Sequence, residues 1–373
     1  VVMGLILRQP ILRLSICNLW SPIHKEASKL ASSKYHIVNF PSNSTGNFLK
    51  QDNKVKLSKL YTSQTDSSDH AGWLEPYMQV TRMKNQIGSL LLFWPCSWSI
   101  TMASSSISWS YLGVLGLFGA GSFLMRGAGC IINDYLDQNF DRKVARTKGR
   151  PFARRAITRT QGLTFLAAHF TMASLILFQF NWYTVGLGLA ALGTAVTYPL
   201  MKRFFNWPQV YLGASFSFGV LMGWSVIQGN CFWPVCLPLY VGSVVWTVFY
   251  DTIYAYQDYK CDKEAGVRSS AVRIGDHPKA WLATFAVVME SCLLAAGLAG
   301  DMEWPYYLSV LSAGAHLAHQ TITVDIDNSK DCWSKFESNN QIGYIILAGI
   351  LGSMYLKNKK KADENIDFIS DGE

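Results

Sequence analysis

The sequence predicts an all-α polytopic membrane protein with about nine transmembrane helices. Half of its 373 residues are hydrophobic and only 16% are charged, against roughly 25% charged residues in soluble domains. After Trp73 the chain repeatedly forms apolar runs that approach the ~20 residues a helix needs to cross a bilayer. Aromatic residues make up 13% of the chain, which is typical of proteins with aromatic belts at the membrane surfaces.

The residues before the first apolar run predict a separate N-terminal segment, 1–72. Residues 1–60 contain nine Lys and Arg but only two acidic residues, Glu26 and Asp52. A basic, Ser-rich and acid-poor composition is typical of a mitochondrial presequence, which we expect a flexible linker to follow. A disordered cytosolic tail and a signal peptide are the alternatives, although no clear A-x-A cleavage motif supports the signal peptide.

We divide the rest of the chain into a transmembrane domain, 73–356, and a charged C-terminal tail, 357–373. The predicted helices cover residues 87–107, 111–133, 161–180, 182–201, 208–228, 233–255, 280–299, 305–321 and 341–356. The pattern is weakest in the eighth helix, because His316 and His319 interrupt it. We interpret these two histidines as polar helix residues rather than as ligands.

Basic residues are concentrated on one predicted side of the membrane. The loops after the second, fourth and sixth predicted helices carry Lys and Arg, whereas the short connections around 108–110, 181 and 229–232 carry none. This asymmetry follows the positive-inside rule and explains the net charge of +8 better than nucleic-acid binding does. With nine helices, the lysines of the tail fall on the membrane face opposite the basic loops, which the positive-inside rule does not favour. Either the number of helices is wrong by one, or the tail does not affect the topology.

The eight cysteines are scattered along the chain. They form neither a CxxC pair nor a Cys/His metal spacing, so we expect neither a zinc site nor a disulfide framework.

Two acidic stretches end the second and sixth predicted helices. The first contains Asn133, Asp134, Asp137 and Asp141, and the second contains Asp251, Tyr254, Gln257, Asp258 and Asp262. At about 100° per residue, Arg126, Asn133 and Asp137 share one helical stripe, Asp141 lies about 40° further round if the helix continues, and Asp134 is offset. The residues Asp251, Asp258 and Asp262 repeat the same seven-then-four spacing, so each helix predicts a line of carboxylates that runs towards the membrane surface.

Carboxylates at membrane depth are costly, so their presence indicates a functional site. Oxygen donors suit Mg²⁺, which usually takes one or two carboxylates together with substrate phosphates. A helix cap or a solvated face explains one stripe, but not two stripes with matched spacing on one side of the membrane.

Basic residues near the acidic stretches are candidate diphosphate ligands, although they also determine topology. Candidates for this role are Lys143, Arg146, Arg150, Lys202, Arg203 and Arg268. Lys202 is favoured because it directly follows a predicted membrane helix on the carboxylate side. Arg126 lies about two turns inside its helix, where it can pair with an aspartate or with the carboxylate of a second substrate.

The pattern Asn133-Asp134-x-x-Asp137-x-x-x-Asp141 resembles the NDxxDxxxD motif of the UbiA superfamily of intramembrane prenyltransferases. Residues 251–262 resemble the second motif of that superfamily. Further similar runs lie at 87–100, 141–153, 197–209 and 323–339. The resemblance spans about residues 75–356 and is strongest to members that act on 4-hydroxybenzoate in mitochondrial ubiquinone synthesis.

The resemblance implies nine helices around a central cavity, with Mg²⁺ between the two motifs holding a polyprenyl diphosphate. By position it assigns Asn133, Asp137 and Asp141 to one Mg²⁺ site, and Asp258 and Asp262 to a second. It assigns Lys202, Arg146 and Arg268 to binding of the diphosphate. It assigns Asp251, Tyr254 and Arg126 to the catalytic centre. In this assignment Arg126 faces the carboxylate of the aromatic acceptor.

The implied reaction transfers the polyprenyl group to the ring carbon ortho to the hydroxyl of 4-hydroxybenzoate. The implied location is the mitochondrial inner membrane with the acidic motifs facing the matrix. The bilayer and other proteins of ubiquinone synthesis are expected partners, and nucleic acid is not. Homogentisate, a naphthoate or haem are alternative acceptors. A cation transporter, which would place its acidic residues near the bilayer midplane, and an inactive scaffold are further alternatives.

The sequence departs from the family pattern at five positions. Lys84 and Gln86 replace an acidic residue and a proline, Ser217 replaces an asparagine, Cys261 replaces an aspartate and Arg155 replaces a glycine. These changes put a substrate role for residues 82–88 in doubt, but the principal carboxylates are retained, so an active enzyme is expected.

Overall fold

The computed structural model describes residues 72–142, 147–205, 207–265 and 268–370. The predicted presequence lies outside the described residues. All regular elements of the described part are helical. They are α1 Glu75–Val80, α2 Ile87–Ala103, α3 Trp109–Asp141, α4 Arg159–Leu177, α5 Trp182–Phe204, α6 Pro208–Gln228, α7 Trp233–Ala255, the 3₁₀ turn Tyr256–Asp258, α8 Tyr259–Ala265, α9 Ser270–Ile274, α10 Pro278–Ala299, α11 Trp304–Thr323 and α12 Ser329–Ser370.

The all-α membrane class is confirmed. Five helices of the described part, α3, α4, α6, α7 and α10, are long and apolar enough to cross a membrane, and α2 is a shorter apolar helix. The long helices follow one another in the predicted order. That nine of them cross the membrane stays a prediction.

Local sequence signals explain where several helices begin. Thr158 and Gln161 form a reciprocal capping box at the start of α4, and Asn181 accepts a hydrogen bond from the Thr184 amide at 2.9 Å at the start of α5. Such side chains satisfy amides that have no partner within the helix. The helices α6, α7, α10 and α11 carry proline in their first turn, where no amide donor is needed.

The helices pack into a ring with α7 in the densest part. Helix α3 packs mainly against α2 and α4, whereas α7 packs against α6, α10 and α12. Trp246 of α7 is fully buried, and its indole donates to Asn339 Oδ1 of α12 at 3.1 Å. Asn339 donates in turn to Gln320 of α11 at 3.2 Å. This satisfied polar chain fixes the register of three helices.

The loops gather at two opposite ends of the ring. The motif end includes the second acidic stretch and the start of α12, because Ser329 donates to Gln257 at 3.4 Å. At the other end, Lys357 donates to the Gly300 carbonyl at 3.0 Å and Lys360 pairs with Glu303 at 2.6 Å. The tail lysines therefore lie opposite the motifs, and an acidic neighbour partly offsets their charge.

Two predicted helices have wrong limits, and one predicted stripe is interrupted. Helix α3 does not end at residue 133 but continues through Asp141, which makes the first motif fully helical. Helix α7 has the predicted limits, Trp233–Ala255, but a 3₁₀ turn follows it, so the second motif is not one continuous α-helical stripe. A 3₁₀ turn advances about 120° per residue instead of 100°, which rotates Asp258 and Asp262 relative to Asp251. Helix α12 begins at Ser329 rather than 341, and the tail continues it as far as Ser370.

Candidate active site

The first motif lies at the edge of a cavity inside the ring. Arg126 and Asn133 of α3 both line this cavity, whose volume is about 250 Å³. Asp137 lies one turn beyond Asn133 and is exposed at the motif end. The predicted stripe therefore leads from the cavity out to the loops.

The rest of the cavity wall is mostly apolar and comes from α2 to α6. Residues of this wall include Leu92, Phe118, Phe170, Leu192, Leu212 and Met222. Phe178 and Leu189 also line the cavity, and both are more than half exposed, at 59% and 53%. The cavity is therefore open near the end of α4 and the first half of α5, which suits a long apolar chain.

The charges of Arg126 of α3 and Asp251 of α7 both act on the hydroxyl groups of Tyr198 and Tyr250. Tyr198 lines the cavity together with Arg126. The start of the second motif therefore lies near the inner end of the cavity, although α3 and α7 pack mainly against other helices.

Gly88 makes room for the Arg126 side chain. A Cβ built on Gly88 would collide with Arg126 Nε and would lie 2.9 Å from Cζ and 3.0 Å from Nη2. The guanidinium group therefore rests directly on the backbone of the first turn of α2, which fixes where it points.

Two carboxylates of the first motif are held by arginines. Arg82 Nη2 donates to both oxygens of Asp134, at 2.9 and 3.1 Å, and Arg150 Nη1 lies 3.2 Å from the same carboxylate. Arg150 also donates to Asp141 at 3.1 Å. Both aspartates are almost completely buried, at 1% and 3% exposure. Burial without a partner is costly, so these pairs stabilise the end of α3.

These pairs change the interpretation of three residues. Asp134 points away from the cavity stripe, as its offset predicts. Asp141, a predicted Mg²⁺ ligand, shares its carboxylate with Arg150. Segment 82–88 differs from the family pattern, but its Arg82 still holds Asp134 in position. Arg82 adopts a left-handed backbone with φ of 57°.

The second motif is anchored to neighbouring loops. Tyr256 donates to the Gly275 carbonyl at 2.6 Å, Tyr259 donates to Asp276 at 3.1 Å, and Lys260 pairs with Asp327 at 3.1 Å. Between these anchors Asp251, Tyr254, Asp258 and Asp262 are all half-buried. The carboxylates are therefore neither fully solvated nor sealed in the core.

An aromatic group beside the second motif was not predicted. The Tyr254 ring lies 5.0 Å from Phe336 and 6.0 Å from Trp333 of α12, and Tyr250 lies 5.7 Å from Phe336. Phe336 and Trp333 stand three residues apart in the run 323–339. That spacing places them on one helix face, which is the sequence signal that could have identified them.

The donor atoms of the two motifs fit Mg²⁺. Within the described residues, no three His, Cys, Asp or Glu side chains meet as a ready-made metal cage. A cage is not needed, because Mg²⁺ keeps several waters and takes one or two carboxylates together with phosphate oxygens. Such oxygens are available on Asn133 and Asp137 of α3, and on Asp258 of the 3₁₀ turn and Asp262 of α8.

The predicted diphosphate ligands are only partly described. Lys202 lies in the last turn of α5, but its side chain, like the whole of Arg146, is outside the described residues. Arg268 is exposed just before α9. Among the departures, Ser217 is fully buried and its hydroxyl has no hydrogen-bond partner within the described residues. Arg155 has φ of 63°, a conformation that favours glycine.

Comparisons with known proteins agree with this architecture. Residues 92–345 match the sequence profile of the UbiA prenyltransferase family. The mitochondrial 4-hydroxybenzoate polyprenyltransferase of Aedes aegypti is 47% identical over 78% of this chain and 66% of its own length. Those of Rattus norvegicus and Homo sapiens are each 45% identical, over 80% and 78% of this chain respectively and 80% of their own lengths. The chain thus spans about two thirds of the mosquito relative.

Two solved structures have the same fold. A UbiA homologue from Aeropyrum pernix K1 has a TM-score of 0.61 and 22% identity, covering 72% of this chain and 99% of that chain. A UbiA homologue from Archaeoglobus fulgidus bound to GPP and Mg²⁺ has a TM-score of 0.55 and 16% identity, covering 75% of this chain and 99% of that chain.

Proposed function

The chain belongs to the UbiA prenyltransferase family, and from this premise we propose that it transfers a polyprenyl group from polyprenyl diphosphate to 4-hydroxybenzoate. The group joins the ring carbon ortho to the hydroxyl. Relatives about 45% identical carry the name of this activity. The observation that carries the proposal is that Arg126 and Asp251, from the two helices that bear the acidic motifs, both act on Tyr198 in the wall of an apolar cavity.

The diphosphate binds between the two acidic motifs together with Mg²⁺. Asn133, Asp137 and Asp141 would hold one ion and Asp258 and Asp262 would hold the other, while Asp141 also shares its charge with Arg150. An archaeal relative is described as bound to GPP and Mg²⁺, which supports divalent metal use here. When bound, Mg²⁺ neutralises the diphosphate and makes it a better leaving group.

Basic residues at the motif end complete the diphosphate site. Lys202 ends α5 at this end of the ring, and Arg146 and Arg268 come from the loops that follow the two motifs. Lysine supplies a point charge and arginine a bidentate fork to phosphate oxygens. These three side chains therefore hold the leaving group after the allylic bond breaks.

The residues around the second motif protect the allylic cation. The rings of Tyr254 and Tyr250 each lie within 6 Å of the Phe336 ring. The three rings offer electron-rich faces to a cation. Their packing also excludes water. The isoprenoid tail lies in the apolar cavity and leaves the ring near Phe178 and Leu189.

Arg126 orients the acceptor through its carboxylate. Arg126 lines the cavity, and its guanidinium group can form a bidentate pair with the carboxylate of a benzoate. Asp251, on the opposite side, accepts the proton that the ring loses.

We place the enzyme in the mitochondrial inner membrane with its acidic motifs facing the matrix. The relatives are named mitochondrial, and the chain has several helices that can cross a membrane. The basic loops beside both motifs agree with this orientation.

The test is an assay of the reconstituted full chain with 4-hydroxybenzoate, a polyprenyl diphosphate and Mg²⁺. Prenylated product should form, should need Mg²⁺ and should be lost in Asp137→Asn. The matched control is Asp301→Asn, which removes one exposed carboxylate at the opposite end of the ring. Cation flux without diphosphate release would favour a transporter instead, and product formation in Asp137→Asn would refute the assigned site.

A further inference from the structure

A short segment before α2 lies against α3 and α4 near the first acidic motif. Helix α1, six residues long, buries Val80 in a small core that also contains Ile131 of α3. The Tyr77 ring of α1 meets the Phe165 ring of α4 edge to face, with the ring centres 5.1 Å apart. These contacts hold α1 at one defined place on the ring of helices.

The depth of α1 in the membrane follows from the length of α3. Four helices begin with an exposed tryptophan at the end of the ring opposite the motifs, namely α3 at Trp109, α5 at Trp182, α7 at Trp233 and α11 at Trp304. Tryptophan is enriched where the bilayer meets water, so this belt marks one membrane surface. Ile131 lies 22 residues beyond Trp109, which is about 33 Å at 1.5 Å per residue. The hydrocarbon core is about 30 Å thick, so α1 lies at the other membrane surface.

The ends of this segment carry exposed apolar side chains. Trp73 and Leu74, just before α1, are 79% and 49% exposed, and Met83, just after it, is exposed as well. Leu163 near the start of the membrane-crossing helix α4 is also exposed, so exposed apolar side chains are found on both elements at this membrane surface. A tryptophan that touches so little protein is favoured at the boundary between lipid and water.

Basic side chains accompany the apolar ones. Lys84 is 76% exposed and lies 4.0 Å from Glu75, the one acidic residue of α1. Arg154 donates to Gln79 of α1 at 2.8 Å in an exposed hydrogen bond, and Arg155 is exposed beside it. Positive charge near the membrane surface is attracted to anionic headgroups, and an exposed tryptophan with basic neighbours is typical of segments that lie in the interface. Charge and depth therefore both favour a lipid surface as the partner.

We propose that residues 73–84 form an interfacial anchor that binds the surface of an anionic phospholipid bilayer at the motif end. Trp73 and Leu74 enter the boundary between headgroups and acyl chains, and Lys84 lies among the phosphates. Arg82 of the same segment donates to Asp134 at 2.9 Å, so the anchor also holds the first acidic motif at a fixed depth. The anchor does not rest on the proposed enzymatic activity.

The experiment replaces Trp73 by the photoreactive amino acid p-benzoylphenylalanine in the full chain, reconstituted into vesicles of equal parts phosphatidylcholine and phosphatidylglycerol. Irradiation should join this position to phospholipid, which mass spectrometry identifies on the peptide. The same replacement of Val287, exposed in the middle of α10, is the reference for lipid contact. Lys260, exposed beside the second motif, is the reference for the aqueous side. Phospholipid adducts at position 73 should clearly exceed those at Lys260 and approach those at Val287.

A charge-reversal variant tests the role of the anionic headgroups. Lys84→Glu combined with Arg154→Glu should lower the phospholipid adducts at position 73 several-fold in these vesicles, but hardly at all in pure phosphatidylcholine. The matched control is Lys359→Glu combined with Lys361→Glu, which changes two exposed lysines of the tail and should have no effect. Equal losses in both kinds of vesicle would refute binding to anionic headgroups.

Two results at position 73 would overturn the anchor itself. Adducts that join this position only to residues 1–71 of the same chain, or to a second copy, would mean that protein and not lipid covers Trp73. Phospholipid adducts no more frequent than those at Lys260 would mean that the segment lies in water. Trp73 is mostly exposed, so its replacement should not disturb folding. The measurement needs no catalysis, so a failure of the proposed reaction would not affect it.

Discussion

Replacing Gly88 by alanine should displace Arg126 without unfolding the protein. The new Cβ would lie 2.9 Å from Arg126 Cζ, whereas carbon atoms in contact prefer about 3.5–4.0 Å, so the guanidinium group must move by at least ~0.6 Å. The atoms that clash belong to the end of a flexible side chain, so Arg126 can move while the α2 backbone stays in place.

The displacement should weaken binding of the aromatic acceptor. A hydrogen bond to a charged group is worth about 1.5–3 kcal/mol, which corresponds to a roughly 10- to 150-fold higher KM for 4-hydroxybenzoate. Binding of polyprenyl diphosphate should change little, because its proposed ligands lie one or more turns away at the motif end.

The assay is steady-state prenylation with each substrate varied in turn, in the wild type and in Gly88→Ala. Gly113→Ala is the matched control, because it adds the same methyl group to α3 at a position with no atom within 4 Å of the new Cβ. Equal effects of the two substitutions, or an equal loss of affinity for both substrates, would refute the role of Arg126 as the acceptor ligand.

Three further predictions follow from the packing around the site. Arg82→Met should lower the thermal unfolding temperature, because Asp134 stays buried and loses a partner worth about 1–3 kcal/mol. Arg155→Gly should raise that temperature, because the left-handed backbone at this position costs a non-glycine residue about 1–2 kcal/mol. Phe336→Leu should reduce kcat several-fold with little change in the affinity for 4-hydroxybenzoate, because it removes a ring that contacts Tyr254; steady-state kinetics measure this.

Each of these predictions has a control or an opposing outcome. Arg154→Met removes an exposed arginine near Arg155 whose hydrogen bond to Gln79 is solvent-exposed, so it should change the unfolding temperature much less than Arg82→Met does. An unaltered temperature in Arg82→Met would mean that Arg150 alone satisfies Asp134. A lower temperature in Arg155→Gly would show that flexibility of the chain outweighs backbone strain. A raised KM with normal kcat in Phe336→Leu would assign Phe336 to acceptor binding instead.

The sequence predicted the helical membrane fold well, because apolar length is a local property that needs no tertiary information. It also predicted the stripe of the first motif on the condition that the helix continues past residue 133, and α3 does continue unbroken from Arg126 to Asp141. The second motif was less predictable. Residues 255–259 contain neither proline nor glycine, so nothing in the local sequence signals the 3₁₀ turn that interrupts the helix there.

The remaining features depend on contacts between distant segments. Arg82 and Asp134 are 52 residues apart in the sequence, so their contact is visible only in the folded structure. Because Arg82 holds Asp134, Asn133 lines the cavity and Asp134 does not. The packing of Arg126 on Gly88 and of Tyr254 on Phe336 is equally nonlocal.

The most direct test is a double-mutant cycle on Mg²⁺-dependent binding of polyprenyl diphosphate, with Asp137→Asn in one motif and Asp258→Asn in the other. If both motifs hold the same diphosphate through bound metal, the two effects should be coupled by about 1 kcal/mol or more. Effects that simply add would contradict a shared site, because they would mean that the two acidic stretches act independently.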